Sequence, residues 1–524
     1  MKRFNVTGNC IPEEDYMVDI TGKIAEIRKL VDSRGYFTIN RARQYGKTTT
    51  LAALKKALAD EYIVASISFQ GLGDESFASA GQFCPAFTGK LRRALRFSSA
   101  EPEYAGRWHD ENVTTFEMLD RHITAMCEGR KVVLMIDEVD QASNHRVFLN
   151  FLGMLREKFI ARRNGEDHTF HSVVLAGVYD IKNLKLKMMS EGTHTPTAAE
   201  NKTYNSPWNI AANFEVDMSF CPAEIATMLA EYEADHHTGM DTAAISGEIH
   251  GYTGGYPFLV SRICQCIDEK LARDWTMEGV REAVKIMLAE KNTLFDDLFK
   301  NLENDRELYD YVYDLLILGS AKPYVIYDPI VETGVKYGFF KKAGNGSDRV
   351  AISNRIFELL MADYYIAKDL RSKKQFTGVS GRDIVSGGRF DMELCLRKFA
   401  GHYGEIYSEN DAAFLERHGR LVFLSYLRPL INGGGFYHIE SQFTDQRRMD
   451  VVVDYGREQF IIELKLWRGE RYNDEAYEQL LGYMESKKAA TGYLLTFDFR
   501  KGANKTRRAE WLDFGGKKIF DVVV

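Results

Sequence analysis

Met449-Asp450-Val451-Val452-Val453-Asp454-Tyr455-Gly456-Arg457-Glu458-Gln459-Phe460-Ile461-Ile462-Glu463-Leu464-Lys465 reads as two β-strands joined by a tight turn. Residues 449–453 and 460–466 are rich in Val, Ile and Phe, and Gly456 supplies the turn. Side chains at i and i+2 of a strand share a face, so Glu463 and Lys465 point the same way. A four-residue loop from Tyr455 to Glu458 sets Asp450 opposite Glu463, which gathers two carboxylates and an ammonium on one patch. Two carboxylates can hold a hard cation such as Mg²⁺ or Mn²⁺ through oxygen. Such a cation polarises a phosphoryl oxygen and lowers the pKa of a bound water, and Lys465 can orient that water or neutralise developing charge. A Glu/Lys pair on a hairpin is ordinarily a solvated face. Glu463, however, sits in Phe460-Ile461-Ile462-Glu463-Leu464-Lys465-Leu466-Trp467, where a charge is costly unless paired or metal-bound.

The pattern resembles the PD-(D/E)XK nuclease superfamily, with Asp450, Glu463 and Lys465 as its D…ExK. The resemblance implies roles for further residues. Glu416 lies on a helix-like segment where such nucleases often place a first acidic residue, and Glu440 precedes the Asp strand. In Tyr477-Glu478-Gln479-Leu480-Leu481-Gly482-Tyr483, Gln479 matches a position that often supports the site. Helices over Asp391–Tyr403 and Asp411–Leu430, the turn Asn432-Gly433-Gly434-Gly435, a strand Phe436–Glu440, the hairpin, the Gln479 helix and a strand Tyr493–Phe497 give the αβββαβ order of that fold. Arg500, Lys501, Lys505, Arg507 and Arg508 in the tail either hold phosphate backbone or are solvated.

The N-terminal part alternates strand and helix patterns, which argues for a parallel sheet covered by helices. A helix Ile24–Ser33 and a strand Tyr36–Ile39 lead into Asn40-Arg41-Ala42-Arg43-Gln44-Tyr45-Gly46-Lys47-Thr48-Thr49, followed by a helix Leu51–Ala59. Strand, loop with Gly-Lys-Thr and helix is the P-loop arrangement. Backbone N–H groups at the helix start cradle phosphate, Lys47 reaches the β/γ-phosphates of ATP, and the Thr48 hydroxyl sits on Mg²⁺. The first glycine of GxxxxGK[ST] would fall at Arg41. The region is similar to the AAA-ATPase-like family found fused to PD-(D/E)XK nucleases in bacteria. Its members carry an arginine-rich loop there, which Arg41 and Arg43 match. The resemblance implies nucleotide contacts from Arg41, Arg43, Gly46, Lys47, Thr48 and Thr49.

After a strand Ile63–Phe69, Lys131-Val132-Val133-Leu134-Met135-Ile136-Asp137-Glu138-Val139-Asp140 reads as a buried strand ending in acids. Asp137 would hold Mg²⁺ through water and Glu138 would polarise the attacking water. Asp140 reads as a helix N-cap. Ser172–Asp180 is the next strand, with Asp180 or Tyr179 as candidate γ-phosphate sensors. His194–Asn205 reads as a loop, and Ser206-Pro207-Trp208-Asn209-Ile210-Ala211 with the strand after it resembles the same family.

From Cys221 the pattern turns helical. A helix from Pro222 to about His236, the break at Gly254-Gly255-Tyr256-Pro257 and a helix Phe258–Arg273 resemble the small lid of AAA-type ATPases. A helix Glu307–Leu318, strand-like pieces around Val335–Phe340 and Arg349–Ile352, a wing tip at Gly344-Asn345-Gly346 and a helix from Asn354 make a winged-helix-like segment. Its use is DNA contact, an ATPase lid or a partner dock. The tyrosines at 309–313 and 324–327 read as packing surface, and residues 366–380 as a linker.

The chain has 524 residues, enough for two to four domains, and a net charge of −7. Residues 371–524 hold 25 Lys+Arg against 22 Asp+Glu, which leaves 43 against 53 in the rest. The C-terminal part is the better place for a polyanion. Seven scattered cysteines without CxxC, a start without an apolar run, and no apolar stretch of membrane length predict reduced thiols in a cytoplasmic protein, with no zinc site and no membrane partner.

The expected architecture is α/β throughout. It comprises a P-loop AAA-type ATPase domain (1–220), a helical lid (221–300), a winged-helix-like segment (301–370) and a PD-(D/E)XK, restriction-endonuclease-like domain (371–524). The expected function is ATP-controlled, metal-dependent cleavage of nucleic acid, DNA first, with defence against foreign DNA suggested by architecture alone. The alternative is a nucleotide-controlled switch or scaffold that binds nucleic acid or a partner without cutting; a DNA-translocating motor fits less well. Oligomeric state stays open, a homo-oligomer included.

Overall fold

The computed structural model describes residues 2–96, 113–143, 145–178, 208–318, 320–344, 348–372, 383–406, 412–431, 434–440, 450–456, 458–467, 470–498 and 508–524. They form two compact units, one of Met1–His250, Gly254–Val280 and Lys336–Gly338, the other of Gly251–Thr253, Arg281–Val335 and Phe339–Val524.

In the first unit α1 (Thr21–Asp32), β1 (Tyr36–Asn40), α2 (Lys47–Leu58), β2 (Ile63–Ser68), α3 (Ala80–Arg96), α4 (Phe116–Cys127), β3 (Val132–Asp137), α5 (Arg146–Asn164) and β4 (Ser172–Gly177) build a parallel sheet of order β1-β4-β3-β2. The strands are apolar on both faces because helices cover both. Tyr36, Leu134, Ile136 and Leu175 pack with α3, α4 and α5, while Phe37, Ile39, Met135 and Val174 pack with α1 and α2. The strand expected after Ala211 is reduced to a parallel bridge between Ala212 and Phe37, on the outer side of β1. Trp208 beside it is buried and donates its indole N–H to the Thr38 hydroxyl (3.1 Å). Asp140 caps no α-helix. It lies inside a 3₁₀ turn, Val139–Ala142, and its carboxylate accepts from the Val178 N–H (2.6 Å), which ties the end of β3 to the end of β4.

The lid helices α6 (Pro222–His236), α7 (Thr242–Thr253) and α8 (Pro257–Lys270) follow. Pro222 and Pro257 occupy first-turn positions, where proline loses no hydrogen bond. Between them Gly255 has φ +74°, its carbonyl accepts from the Phe220 N–H, and an added Cβ would stand 2.1 Å from the Phe220 carbonyl oxygen. Gly255→Ala is therefore expected to destabilise the first unit by about 1–3 kcal/mol or more, read as a lowered thermal midpoint.

In the second unit α9 (Met277–Leu288, shared with the first unit), α10 (Thr293–Asn304) and α11 (Arg306–Leu316) precede α12 (Pro329–Lys336), the antiparallel pair β5 (Phe340–Lys342) and β6 (Val350–Ile352), and α13 (Arg355–Ser372). The helix–helix–wing order is present, with two corrections. Val335 and Lys336 are helical, not strand, because Pro329 opens a helix whose first N–H groups at Ile330 and Val331 are capped by the Asp328 carboxylate (2.8 and 3.2 Å). Residues 366–372 are the end of α13, not linker, since Tyr365 and Ile366 are buried core. Asn345 and Gly346 of the expected wing tip, the rest of the linker, Tyr179 and Asp180, the loop at 194–205, Ser206, Pro207, Asn432, Gly433 and the basic residues 500–507 lie outside the described residues.

A short hairpin, β7 (Val385–Ser386) and β8 (Arg389–Phe390), then α14 (Met392–Ile406) and α15 (Ala412–Ile431) lead to β9 (Gly435–Glu440), β10 (Asp450–Tyr455), β11 (Glu458–Leu466), α16 (Glu470–Ser486), β12 (Thr491–Phe497), β13 (Arg508–Phe514) and β14 (Lys517–Val523). The sheet order is β13-β14-β12-β11-β10-β9. The αβββαβ order stands, extended by β13 and β14. That pair went unread because β13 is half-exposed along its length, with no clean alternation, so only the apolar run of β14 carried a signal.

Candidate functional site

At the C-terminal ends of β1 and β3 the loop 41–46 turns through left-handed backbone at Gln44 (φ 55°) and at Gly46 (φ 76°), the residue that caps α2. A glycine at position 41 is thus unnecessary for the bend. Lys47, 7% exposed, donates its ammonium to the carbonyls of Arg41 and Ala42 (2.9 Å each). Burial pulls its pKa down, while the charges of Asp140, Glu138 and Asp137 pull it up. The Thr48 hydroxyl donates to Asp137 Oδ2 (2.7 Å), and Asp137 Oδ1 accepts the Glu138 N–H (2.9 Å). Glu138 holds a strained left-handed backbone (φ 55°), and burial, then the charge of Asp137, raise its pKa above the ordinary carboxylate range.

The structure brings Gly46, Lys47, Thr48, Asp137 and Glu138 together, with the exposed Arg43 close enough to act electrostatically on Lys47 and Glu138. Arg41 donates to the Val216 carbonyl (2.8 Å) and stacks over Phe214. The Thr49 hydroxyl accepts from the Cys10 N–H (3.3 Å). Beside Gly46 and Thr49 opens a cavity of about 340 Å³, lined by Asn5, Val6, Tyr45, Met228 and Phe258 among others. That is within the size range of small-molecule sites, about 300–1,000 Å³. Its N-terminal wall is seated by an aromatic cluster, Phe4 and Tyr16 against Tyr232 and Trp275, and by a hydrogen bond from the Tyr16 hydroxyl to Asp235 (2.9 Å). The sequence reading missed this wall, since residues 2–18 carry no motif.

In the second unit β10 and β11 pair with Asp450 opposite Glu463 and Asp454 opposite Gln459, the register expected from the sequence. The ladder runs one pair closer to the turn, to Tyr455–Glu458. On the other side of β10, Glu440 pairs with Asp450. Directly opposed residues hold their Cβ atoms about 4.5–5.5 Å apart. Glu463 is 2% exposed, and its Oε1 stands 2.8 Å from Lys465 Nζ. No aligned hydrogen bond from the described residues reaches that oxygen. Lys465 also donates to Gln479 Oε1 (2.9 Å), so α16 does supply a partner to the lysine. The side chains of Asp450, Glu440 and Glu416 lie outside the described residues; Glu416 is placed only as a residue of α15. Among described side chains no group of three or more His, Cys, Asp or Glu could hold a metal. A buried carboxylate, ion-paired to one lysine and faced in register by a second acidic residue, nevertheless fits a hard divalent cation.

Two neighbouring features were not foreseen. Arg420, one turn after Glu416, is fully buried and donates to the Leu316 carbonyl (2.8 Å). Burial pulls its guanidinium down to about 10 against the opposing charges of Glu358 and Glu463. Across the sheet, the Tyr477 hydroxyl donates to Asp521 Oδ2 (2.5 Å) and accepts from Arg508 (2.7 Å), while Arg508 pairs with Asp521. This network pins α16 two residues before Gln479. Its members sit on β13, β14 and α16, so local periodicity carried no sign of it.

A glycine-lysine-threonine loop after β1, facing two acids at the end of β3, the parallel strand on the far side of β4, defines the class of P-loop ATPases. The chain belongs to the AAA-like domain family, which matches residues 25–310, and this domain is followed by one of the PD-(D/E)XK nuclease superfamily, matched over residues 436–509. No curated protein matches the chain. Among solved structures, the chain is similar to the Walker-type ATPase PABY2304 of Pyrococcus abyssi, at 12% identity and TM-score 0.45 over 68% of this chain and 99% of that one. It is also similar to the ORC2 protein of Aeropyrum pernix (12% identity, TM-score 0.36, 70% and 98% covered). A third is the RuvB Holliday junction branch migration motor of Thermotoga maritima (12% identity, TM-score 0.32, 64% and 92% covered). Among the described residues no helix is long and apolar enough to cross a membrane.

Proposed function

We propose that the chain binds and hydrolyses ATP and uses it to control metal-dependent cleavage of phosphodiester bonds in nucleic acid, with DNA as the substrate. The observation that carries the reading is the buried Glu463, paired in register with Asp450 and bonded through Lys465 to Gln479. In this reading Asp450 and Glu463 hold Mg²⁺ or Mn²⁺, with Glu440 and Glu416 as the further acidic residues of the site. The cation, when bound, supplies Lewis acidity and an activated water. Lys465 orients that water and offsets charge on the phosphate, and Gln479 keeps the ammonium in place.

In the first unit Lys47 exchanges the carbonyls of Arg41 and Ala42 for phosphate oxygens, and Gly46 opens the helix N-terminus to them. Thr48 and Asp137 hold the magnesium that accompanies ATP, Arg43 adds positive charge at the loop, and Glu138 positions the attacking water. The net positive C-terminal part supports a polyanionic substrate. Defence against foreign DNA is the role this pairing of activities suits.

The test is cleavage of plasmid, linear and single-stranded DNA and of RNA, with Mg²⁺ or Mn²⁺, with and without ATP, beside Lys465→Ala and Lys47→Ala. Cleavage lost in Lys465→Ala and altered in Lys47→Ala is the expected result. No metal-dependent cutting of any substrate under any nucleotide condition overturns the nuclease reading.

A further inference from the structure

The face that carries Glu463 and Lys465 continues into β12. Lys465 is the register partner of Thr496 on this parallel neighbour. Leu494, two residues earlier, packs with Leu480 and Met484 of α16, so Thr496 lies on the same face as Lys465 and Gln479. It is 1% exposed, and its hydroxyl has no hydrogen-bond partner among the described residues. Its carbonyl is already engaged by the Val524 N–H (2.9 Å), so the backbone does not call for the hydroxyl. A buried hydroxyl without a partner is destabilising, and valine would fill the same volume without it.

Lys465 in this structure divides its ammonium between Glu463 Oε1 (2.8 Å) and Gln479 Oε1 (2.9 Å). That arrangement holds only while Glu463 is free to pair with it. Resting on the nuclease reading above, we propose that Thr496 is a positioning residue of the hydrolytic site. Its hydroxyl oxygen receives the Lys465 ammonium when Glu463 is engaged with a divalent cation. An ammonium has three donors. With Glu463 committed and positive charge close by, Gln479 retains one donor, and the hydroxyl on the strand about 4.8 Å away takes another. Both acceptors are neutral, so the lysine stays in place with its charge available to the phosphate. A carboxylate acceptor would cancel that charge.

Thr496→Val and Thr496→Ser in the full chain test this by thermal midpoint without metal, the shift of that midpoint with Mn²⁺, and cleavage kinetics. The valine variant is expected to melt at or above wild type without metal, because it removes an unpaired hydroxyl. Its Mn²⁺-induced shift is expected to be smaller, and kcat to fall about tenfold or more with KM unchanged. The serine variant, which returns the hydroxyl, recovers most of the lost rate and shift. A valine variant that melts below wild type without metal assigns the hydroxyl a structural partner and overturns the proposal. So does one with the wild-type rate and Mn²⁺ shift. A wild type that cuts nothing removes the nuclease reading, and equal Mn²⁺ shifts in wild type and Thr496→Val remove the positioning role separately.

Discussion

Lys465→Ala is expected to lose metal-dependent cleavage by about 100-fold or more and, in the same protein, to become unusually responsive to divalent cations. Both effects follow from one pair. Glu463 is buried, and Lys465 Nζ at 2.8 Å is its ion-pair partner, with the buried Arg420 a further positive charge acting on it. Removing one partner of a buried pair costs about 3–5 kcal/mol, because the remaining charge stays in place uncompensated. A divalent cation held by Glu463 and Asp450 supplies the missing charge. The thermal midpoint of Lys465→Ala should therefore fall well below wild type without metal and rise more steeply than wild type with Mn²⁺. Glu463→Gln should show the converse pattern: cleavage is lost and no metal-dependent shift is left, since the neutral amide needs no counter-charge and no longer binds a hard cation. Single-turnover cleavage and thermal shift with and without Mn²⁺ read both. A Lys465→Ala protein that cuts at the wild-type rate would remove Lys465 from the chemistry.

The second large effect lies in the nucleotide site. Glu138→Gln should bind ATP while hydrolysis falls by about 10²–10⁴-fold, the range for losing a positioned general base. Lys47→Ala should lose ATP binding itself. The two differ because Glu138 has the proposed role of positioning the attacking water, whereas Lys47 sits inside the loop on the carbonyls of Arg41 and Ala42. The raised pKa of Glu138 adds a pH signature. Only its ionised form can polarise water, so the acid limb of ATP hydrolysis should be displaced upward by the burial of Glu138 and disappear in Glu138→Gln. Binding and steady-state hydrolysis across pH separate these roles. Equal hydrolysis by Glu138→Gln and wild type would transfer the role to another residue.

Local chemistry determined a large part of this protein before any coordinates. The strand period of two, applied to 449–465, sets the register that places Asp450 opposite Glu463. The apolar run before Asp137 and the Gly-Lys-Thr step into a helix place the two halves of the nucleotide site on a parallel sheet. These features are legible because residues within one hairpin, or one strand–loop–helix unit, are bound by the repeat of the element itself.

Tertiary structure decided the rest. It brought Arg41 to the carbonyl of Val216 and the ring of Phe214. It brought Cys10 to Thr49 and gathered residues 2–18 into a cavity wall. It buried Arg420 against the carbonyl of Leu316, built the Tyr477–Asp521–Arg508 network from one helix and two strands, and set Thr496 beside Lys465. Most of these partners are far apart in the chain and meet only when whole elements and their connecting loops pack together. The register of such a meeting depends on how whole elements pack, and no local repeat encodes it.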